Sequence, residues 1–274
     1  MIDTTLIKQA IAEDLQGGDD LTSVSTIAAD SISTADFRSR KDGVLAGVEM
    51  VKAVLEECGL TSIEIKKRDG ERISAGEVLL TVNGNTRAIL LAERTALNFV
   101  GHLSGIATET AKWVEAVAGT HCKVRDTRKT TPGYRLLEKY AVRMGGGTNH
   151  RMSLSDAALI KDNHIAAAGG VKEAFSAVRS AYPSAPIEIE VDTLEQLQEV
   201  LPLNPDLVLL DNMSPALCAQ AVASVAGRTK LEASGGITLD NAKAYADSGV
   251  DYIAIGALTH SATVLDIGLD LRAE

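Results

Sequence analysis

The chain has 274 residues, of which 45% are hydrophobic and 23% are charged, a composition typical of an ordinary globular protein. The formal net charge of -10 at pH 7 argues against general nucleic-acid binding, because neutralising phosphates requires a broad basic surface. Aromatic residues make up only 3% of the chain, so platforms for base stacking are not expected either.

The cysteines and the N-terminus indicate where the protein works. Cys58, Cys122 and Cys218 are odd in number and form no C-x-x-C pair, which argues against a disulfide framework or structural zinc and suits a reducing compartment. The N-terminus predicts a short amphipathic helix with acidic residues rather than a signal peptide. No apolar stretch reaches the roughly 18 residues needed to span a bilayer. We therefore expect a cytoplasmic protein that binds no membrane.

The first part of the chain predicts a sheet covered by helices. Residues 32–47 alternate like a strand pair turned at Lys-Asp-Gly, and residues 47–59 have the pattern of an amphipathic helix. Residues 63–84 predict strands broken by Asp-Gly, Ala-Gly and Asn-Gly turns. A biotinyl or lipoyl hairpin has similar spacing, but no lysine stands at a hairpin tip here. Residues 86–118 predict a long helical segment or pair that contains the domain boundary.

Six apolar runs of strand length then alternate with amphipathic helices: CKVRDT, ALIKD, PIEIEVD, LVLLDN, KLEASGG and YIAIGAL. This alternation predicts a parallel barrel or a doubly wound sheet, in which active sites lie at the C-terminal ends of the strands. Each of the six runs ends in, or is followed by, polar residues or glycines. In chain order these are Arg128 and Lys129 for the first run, Lys161 for the second, Glu190 for the third, Asp211 for the fourth, Ser234, Gly235 and Gly236 for the fifth, and Gly256 for the sixth. All six strands are therefore expected to contribute to one site.

A dense basic segment indicates an anionic ligand. The stretch 123–161 contains nine Lys or Arg residues against three Asp or Glu residues, in an otherwise acidic chain. A solvated helix face explains Lys139 and Arg143 in the run YRLLEKYAVR. It does not explain the basic residues that lie beside turn residues, which are Arg128, Lys129, His150, Arg151 and Lys161. A small bound polyanion would offset their mutual repulsion.

Carboxylates at the strand ends suggest a metal. In PIEIEVD the period of two places Glu188 and Glu190 on one face, which points into the barrel. Together with Asp211, these side chains offer the hard oxygen ligands that suit Mg²⁺, whose remaining ligands come from substrate phosphates and water. The alternative is that the carboxylates form internal salt bridges with Lys161 or Arg151.

Glycine-rich turns follow the last two strands, in EASGGIT and AIGALTHSA. Such turns let backbone N–H groups approach a phosphate closely, and His260 is placed to donate to it; ordinary tight βα turns are the alternative. The residues together indicate a Mg²⁺-bound phosphate substrate and a second substrate with carboxylates held by Arg and Lys. Either a phosphoribosyl transfer or a sugar-phosphate lyase fits this description.

The motifs RDTRKTTPG, GGGTNHR, LIKDNH, EIEVD, LLDNM and EASGGI, with EDLQGGDDLT and AERTALNFVGHLSGIAT, extend over nearly the whole chain. In order and spacing they resemble the quinolinate phosphoribosyltransferase family. The resemblance implies an α/β fold: an α+β open-sandwich domain over residues 1–112, on which the C-terminal tail can pack back, and an incomplete parallel α/β barrel over 113–274. It also implies a homodimer.

The resemblance further implies the reaction, in which quinolinate and phosphoribosyl pyrophosphate give nicotinate mononucleotide, pyrophosphate and CO₂ in NAD biosynthesis. By motif, the quinolinate site comprises Arg128, Lys129, His150, Arg151 and Lys161, and Arg94 enters from the other subunit. Glu190 and Asp211 serve the Mg²⁺ and ribose end. The 5-phosphate of phosphoribosyl pyrophosphate is expected near Ser234, Gly235, Gly236, Gly256 and His260. Lys129, Lys161, Glu190 and Asp211 are the residues assigned to catalysis.

Two positions depart from the family pattern, because Tyr134 and Gly101 stand where leucine and glutamine are expected. Both are placed at the edge of the site and bear on fine specificity. Two alternatives remain at this point. One is a related phosphoribosyltransferase of the same fold with another acceptor. The other is a non-catalytic phosphate-binding barrel, although such a sensor has no need of metal-binding carboxylates.

Overall fold

The computed structural model describes residues 4–272, which contain twelve strands and eleven α-helices. The strands are β1 Ile32–Ser39, β2 Gly43–Val44, β3 Ser62–Ile65, β4 Arg72–Ile73, β5 Val78–Asn85, β6 Lys123–Arg125, β7 Ala158–Ile160, β8 Ile187–Val191, β9 Leu207–Asp211, β10 Lys230–Ser234, β11 Tyr252–Ala254 and β12 Ile267–Leu271. The helices are α1 Thr4–Leu15, α2 Leu21–Thr26, α3 Val48–Glu57, α4 Thr86–Ala116, α5 Arg135–Met144, α6 Asp162–Ala168, α7 Val171–Ala181, α8 Leu194–Val200, α9 Pro215–Val225, α10 Leu239–Asp247 and α11 Ala257–His260.

The chain divides into two compact units. The first contains the residues up to Glu109, together with Arg143–Gly146 and the residues from Ala262 onward; the second contains Thr110–Val142 and Gly147–Ser261. The division after Glu109 falls within α4, the segment in which the sequence predicts the boundary, three residues before the predicted position.

The first unit is built on an antiparallel sheet with the strand order β12-β1-β5-β3. Its buried side chains include Phe37 of β1 and Leu80 of β5, both 1% exposed. These two residues lie around a small internal cavity with Val48 and Val51 of α3 and Val100 of α4. The alternation of β1 and β5 therefore provides one apolar face, and the helices α3 and α4 cover it.

The predicted strand pair over residues 32–47 is wrong in its pairing. Both strands form, but β2 pairs with β4, through Gly43 opposite Ile73 and Val44 opposite Arg72. The two edges of β1 are occupied by β5 and by β12. Because both edges of β1 are already hydrogen-bonded, the chain after Ser39 has no free edge of β1 along which to fold back.

The second unit is built on a parallel sheet with the strand order β6-β11-β10-β9-β8-β7, so the six predicted strands form and the α/β fold class is confirmed. Strands β6 and β7 lie at the two edges, which makes the barrel incomplete. A parallel bridge between Arg125 and Thr148 extends the β6 edge. The apolar residues of β8 are at most 1% exposed, as expected for the side of a strand that packs against helices.

Among the described residues, no helix has both the length and the apolar character needed to cross a membrane.

Candidate active site

A cleft of about 670 Å³ lies at the C-terminal ends of the parallel strands, all within the second unit. Twelve of the thirteen residues predicted for the site line it: Arg128, Lys129, His150, Arg151, Lys161, Glu190, Asp211, Ser234, Gly235, Gly236, Gly256 and His260. The parallel sheet brings them together because it places the six strand ends on one side, although the residues are spread over more than 130 positions.

The thirteenth residue, Arg94, lies apart from this set. It belongs to α4 in the first unit, is exposed, and is not among the residues that line the cleft. Its predicted role in a neighbouring subunit is not tested by the structure of one chain. Tyr134 and Gly101 also do not line the cleft; a Cβ atom on Gly101 would lie 3.0 Å from Val264 Cγ1.

One end of the cleft is acidic. Carboxylate oxygens of Glu190, Asp192 and Asp211 lie within 4.8 Å of one another, and sequence reasoning overlooked Asp192, which directly follows the β8 strand. Burial, followed by repulsion from Asp211, raises the pKa of Glu190. Burial, followed by repulsion from Asp192, raises the pKa of Asp211. A divalent cation would remove this repulsion, and three carboxylates provide the hard oxygen donors that Mg²⁺ prefers.

The other end of the cleft is basic. The Nε atoms of Arg128 and Arg151 are buried and have no hydrogen-bond partner within the described part of the chain. Burial, followed by repulsion from Arg128, lowers the pKa of the Arg151 guanidinium. Arg151 is nevertheless held in place, because its Nη1 donates to the carbonyl of Ala157 at 2.9 Å. Two partly buried guanidiniums with unused donors suit a ligand that carries carboxylates.

The glycine turns form the third part of the cleft. Gly235 has φ +89°, and a Cβ atom there would lie 2.1 Å from Asn212 Oδ1, so only glycine fits this turn. A Cβ atom on Gly256 would lie 2.9 Å from Lys129 Cδ and 3.3 Å from His260 Nε2. Backbone, lysine and histidine are therefore close together around Gly256, an arrangement suited to a phosphate.

A buried charge pair fixes the basic segments. Lys139 is 0% exposed and forms an ion pair with Asp126, so its prediction as a solvated residue is wrong, whereas Arg143 is exposed. The Asp126 carboxylate also accepts from the side chain of Asn149 and from the backbone N–H of His150, the latter at 2.8 Å. Because Asp126 requires a cation when it is buried, the amphipathic pattern of α5 was misleading at this position.

A layer of charged residues below the cleft was only partly foreseen. His150 Nε2 lies 2.7 Å from Glu188 Oε2 and 3.6 Å from Glu232 Oε1. Glu232 accepts from Arg125 Nη1 at 2.6 Å. The inward direction of Glu188 agrees with the period-two pattern, but its partner is His150 rather than Lys161 or Arg151. Arg125 and Glu232 were missed, although Glu232 alternates with Ser234 in the same way as Glu188 alternates with Glu190.

The chain matches two family models. The model described as the quinolinate phosphoribosyl transferase N-terminal domain matches residues 20–104. The model of the C-terminal domain of the same family matches residues 106–270.

Curated proteins and solved structures agree with these matches. The chain is 51% identical to nicotinate-nucleotide pyrophosphorylase [carboxylating] of Mycobacterium leprae, over 97% of this chain and 95% of that protein. It is 42% identical to a probable nicotinate-nucleotide pyrophosphorylase [carboxylating] of Bacillus subtilis, over 97% and 92%. The crystal structure of nicotinate-nucleotide pyrophosphorylase from Ehrlichia chaffeensis superposes with a TM-score of 0.95 at 38% identity and covers 99% of each chain.

The buried Asp126–Lys139 pair is expected to be important for stability. Lys139→Met should lower the free energy of unfolding by about 3–5 kcal/mol, because it leaves a buried carboxylate without its cation. The double variant Asp126→Asn/Lys139→Met should lose less than the sum of the two single variants. Urea unfolding measures these values, and Lys172→Met, at an exposed lysine of α7, is the control. Strictly additive losses would contradict the coupling.

Proposed function

The chain belongs to the quinolinate phosphoribosyl transferase family, and we propose that it transfers a phosphoribosyl group from phosphoribosyl pyrophosphate to quinolinate with loss of CO₂. The product is nicotinate mononucleotide, a precursor in NAD biosynthesis. The single observation that carries this assignment is the arrangement of the cleft, in which unpartnered arginine donors lie at one end and a carboxylate cluster at the other. Quinolinate carries two carboxylates, whereas phosphoribosyl pyrophosphate arrives with phosphates that bind a cation.

The quinolinate end is formed by Arg128, Arg151, Lys129, His150 and Lys161. Two guanidiniums with free Nε donors can each form a two-donor contact with a planar carboxylate. The two adjacent carboxylates of quinolinate also offset the repulsion from Arg128, which adds to burial in lowering the pKa of Arg151. A neutral or monoanionic acceptor leaves part of this charge uncompensated, which supports a dicarboxylate as the acceptor.

The phosphoribosyl pyrophosphate end is formed by the acidic cluster and the glycine turns. Glu190 and Asp211, with Asp192 nearby, would hold Mg²⁺. The 5-phosphate would lie against Ser234, Gly235, Gly236, Gly256 and His260, which line the cleft beside Lys129. When bound, Mg²⁺ offsets the negative charge of the pyrophosphate group and holds it for departure.

The chemistry follows from how charge develops. As pyrophosphate leaves C1 of the ribose, positive charge develops on that carbon and negative charge on the leaving group. Glu190 and Asp211 lie on the ribose side. Lys161 and Lys129 provide nearby positive charge, which offsets part of the rise in the pKa of Asp211 that burial and Asp192 cause. Quinolinate nitrogen then bonds to C1. The ring nitrogen becomes positively charged and accepts the electrons that the departing 2-carboxylate leaves behind.

A direct assay tests this function. The protein is incubated with quinolinate, phosphoribosyl pyrophosphate and Mg²⁺, and nicotinate mononucleotide, pyrophosphate and CO₂ are quantified. The expected result is equal amounts of the three products, loss of activity with a chelator, and recovery when Mg²⁺ is restored. Activity that survives complete chelation, or a preference for nicotinate over quinolinate, would contradict the assignment.

A lysine substitution tests the quinolinate end. Arg151→Lys keeps the charge but removes the two-donor fork, so it should weaken quinolinate binding by about 1.5–3 kcal/mol, or roughly ten- to a hundredfold. The effect should appear mainly in the KM for quinolinate, with the KM for phosphoribosyl pyrophosphate little changed. Arg228→Lys is the matched control, because Arg228 is exposed and donates to nearby carbonyls of α9. A loss confined to phosphoribosyl pyrophosphate would assign Arg151 to the phosphate end.

We also propose that the protein is a homodimer in which Arg94 completes the neighbouring site, and that it works in the cytoplasm. The exposed position of Arg94 on α4 supports the first proposal. Exposed apolar side chains such as Leu136, 73% exposed, and Leu154, 71% exposed, suit a subunit interface. The unpaired cysteines support the second.

Complementation tests the role of Arg94. Inactive Arg94→Ala and Lys129→Ala chains are mixed under conditions that exchange subunits. One of the two sites of each mixed dimer then contains neither change, so random exchange should restore about a quarter of the wild-type activity. Mixing two batches with the same substitution is the control. The arrangement is rejected when mixed dimers are demonstrated but remain inactive.

A further inference from the structure

The proposed reaction needs a proton at one ring carbon, and this inference rests on that function. When the 2-carboxylate departs as CO₂, the electron pair of the broken C–C bond stays on C2 of the ring. Nicotinate mononucleotide carries hydrogen at this position. The active site must therefore deliver one proton to C2 after CO₂ has formed.

His150 has the geometry of a proton donor toward the cleft. Its ring lines the cleft, and its Nε2 faces Glu188 and Glu232 at 2.7 Å and 3.6 Å. Nδ1, on the other side of the ring, has no hydrogen-bond partner among the described residues. His150 is only 7% exposed, so the two carboxylates rather than bulk water surround Nε2.

The layer around His150 contains two carboxyl groups and two guanidiniums. Arg125 is a fixed cation, bound to Glu232 at 2.6 Å, whereas Glu188 and Glu232 are two buried carboxyl groups. Arg151 is a second cation, which interacts with Glu188, and a proton on His150 or on Glu232 adds to these charges. Burial and the neighbouring Glu188 raise the pKa of Glu232 to about 7, in agreement with a proton shared near neutral pH.

A second cavity connects this layer to the opposite side of the barrel. It has a volume of about 290 Å³ and is lined by Arg125, His150 and Glu188 as well as by Pro186 and Asp206 near the N-terminal ends of β8 and β9. Asp206 is exposed there. Water can therefore reach the charged layer without passing through the substrate cleft, which gives a path for replacing a consumed proton.

We propose that His150 donates the proton that quenches the C2 carbanion, that Glu188 positions its ring, and that Glu232 replaces the proton. In the step, the bond from C2 to the carboxyl carbon breaks and CO₂ leaves. The electron pair on C2 takes the proton from Nδ1 of the imidazolium and forms the C2–H bond. Nε2 keeps its hydrogen bond to Glu188, and the lost proton is replaced from Glu232 and the water of the lower cavity.

Rapid-quench experiments on His150→Gln test the proposal, with pyrophosphate and CO₂ measured in the same samples. Without the donor, the carbanion recaptures CO₂ and net decarboxylation slows. We expect pyrophosphate to form first, about one per site, and CO₂ to follow on the order of a hundredfold more slowly than in the wild type. Equal slowing of both products overturns the proposal, since His150 then acts only in binding or transfer.

Glu232→Gln provides an independent test, because it removes the acid while keeping the size of the side chain. The same lag of CO₂ behind pyrophosphate is expected, with an unchanged KM for quinolinate; a raised KM without a lag overturns the role of Glu232. Glu199→Gln, at an exposed position of α8, is the control. Thermal unfolding verifies that each variant folds. If the wild-type protein forms neither product, the proposed function fails rather than this inference.

Discussion

The buried carboxylate of Asp126 is the constraint on which the substrate cleft depends. It follows β6 and receives hydrogen bonds from Lys139 of α5 and from Asn149 and His150 of the following loop. The Lys139 ammonium in turn donates to the carbonyl of His150 at 3.0 Å. These contacts satisfy both charges in a place where water is excluded, and they fix the two segments that carry the basic side chains of the cleft.

With its basic segments fixed, the cleft keeps opposite charges apart. Arg128 and Arg151 lie at one end with unused donors, whereas Glu190, Asp192 and Asp211 are gathered at the other. Lys161 and Lys129 also line the cleft and offset part of the rise in the pKa of Asp211. Repulsion between like charges destabilises each cluster, and a ligand of opposite charge reduces that repulsion. Binding of an anion at the arginine end and of a cation at the carboxylate end is therefore favourable.

Local patterns predicted the regular elements and most of the cleft, because they reflect burial and alternation along one strand. The inward direction of Glu190 and the glycine turn at Gly235 follow from such patterns. The pairing of β2 with β4 was not predictable in this way, since two-residue strands carry no register. Lys139 was misassigned because its burial depends on Asp126, 13 residues away in the sequence and adjacent only in the fold.

Strand β12 places a requirement on the order in which the chain acquires its structure. It pairs with β1 through contacts such as Phe37 opposite Leu269, so the first sheet receives its edge strand from the last residues of the sequence. During synthesis on the ribosome, the parallel strands emerge before β12 does. Until then the β12 side of β1 presents unpaired backbone groups, a surface that recruits other nascent chains. Losing β12 would therefore promote aggregation even with every cleft residue intact.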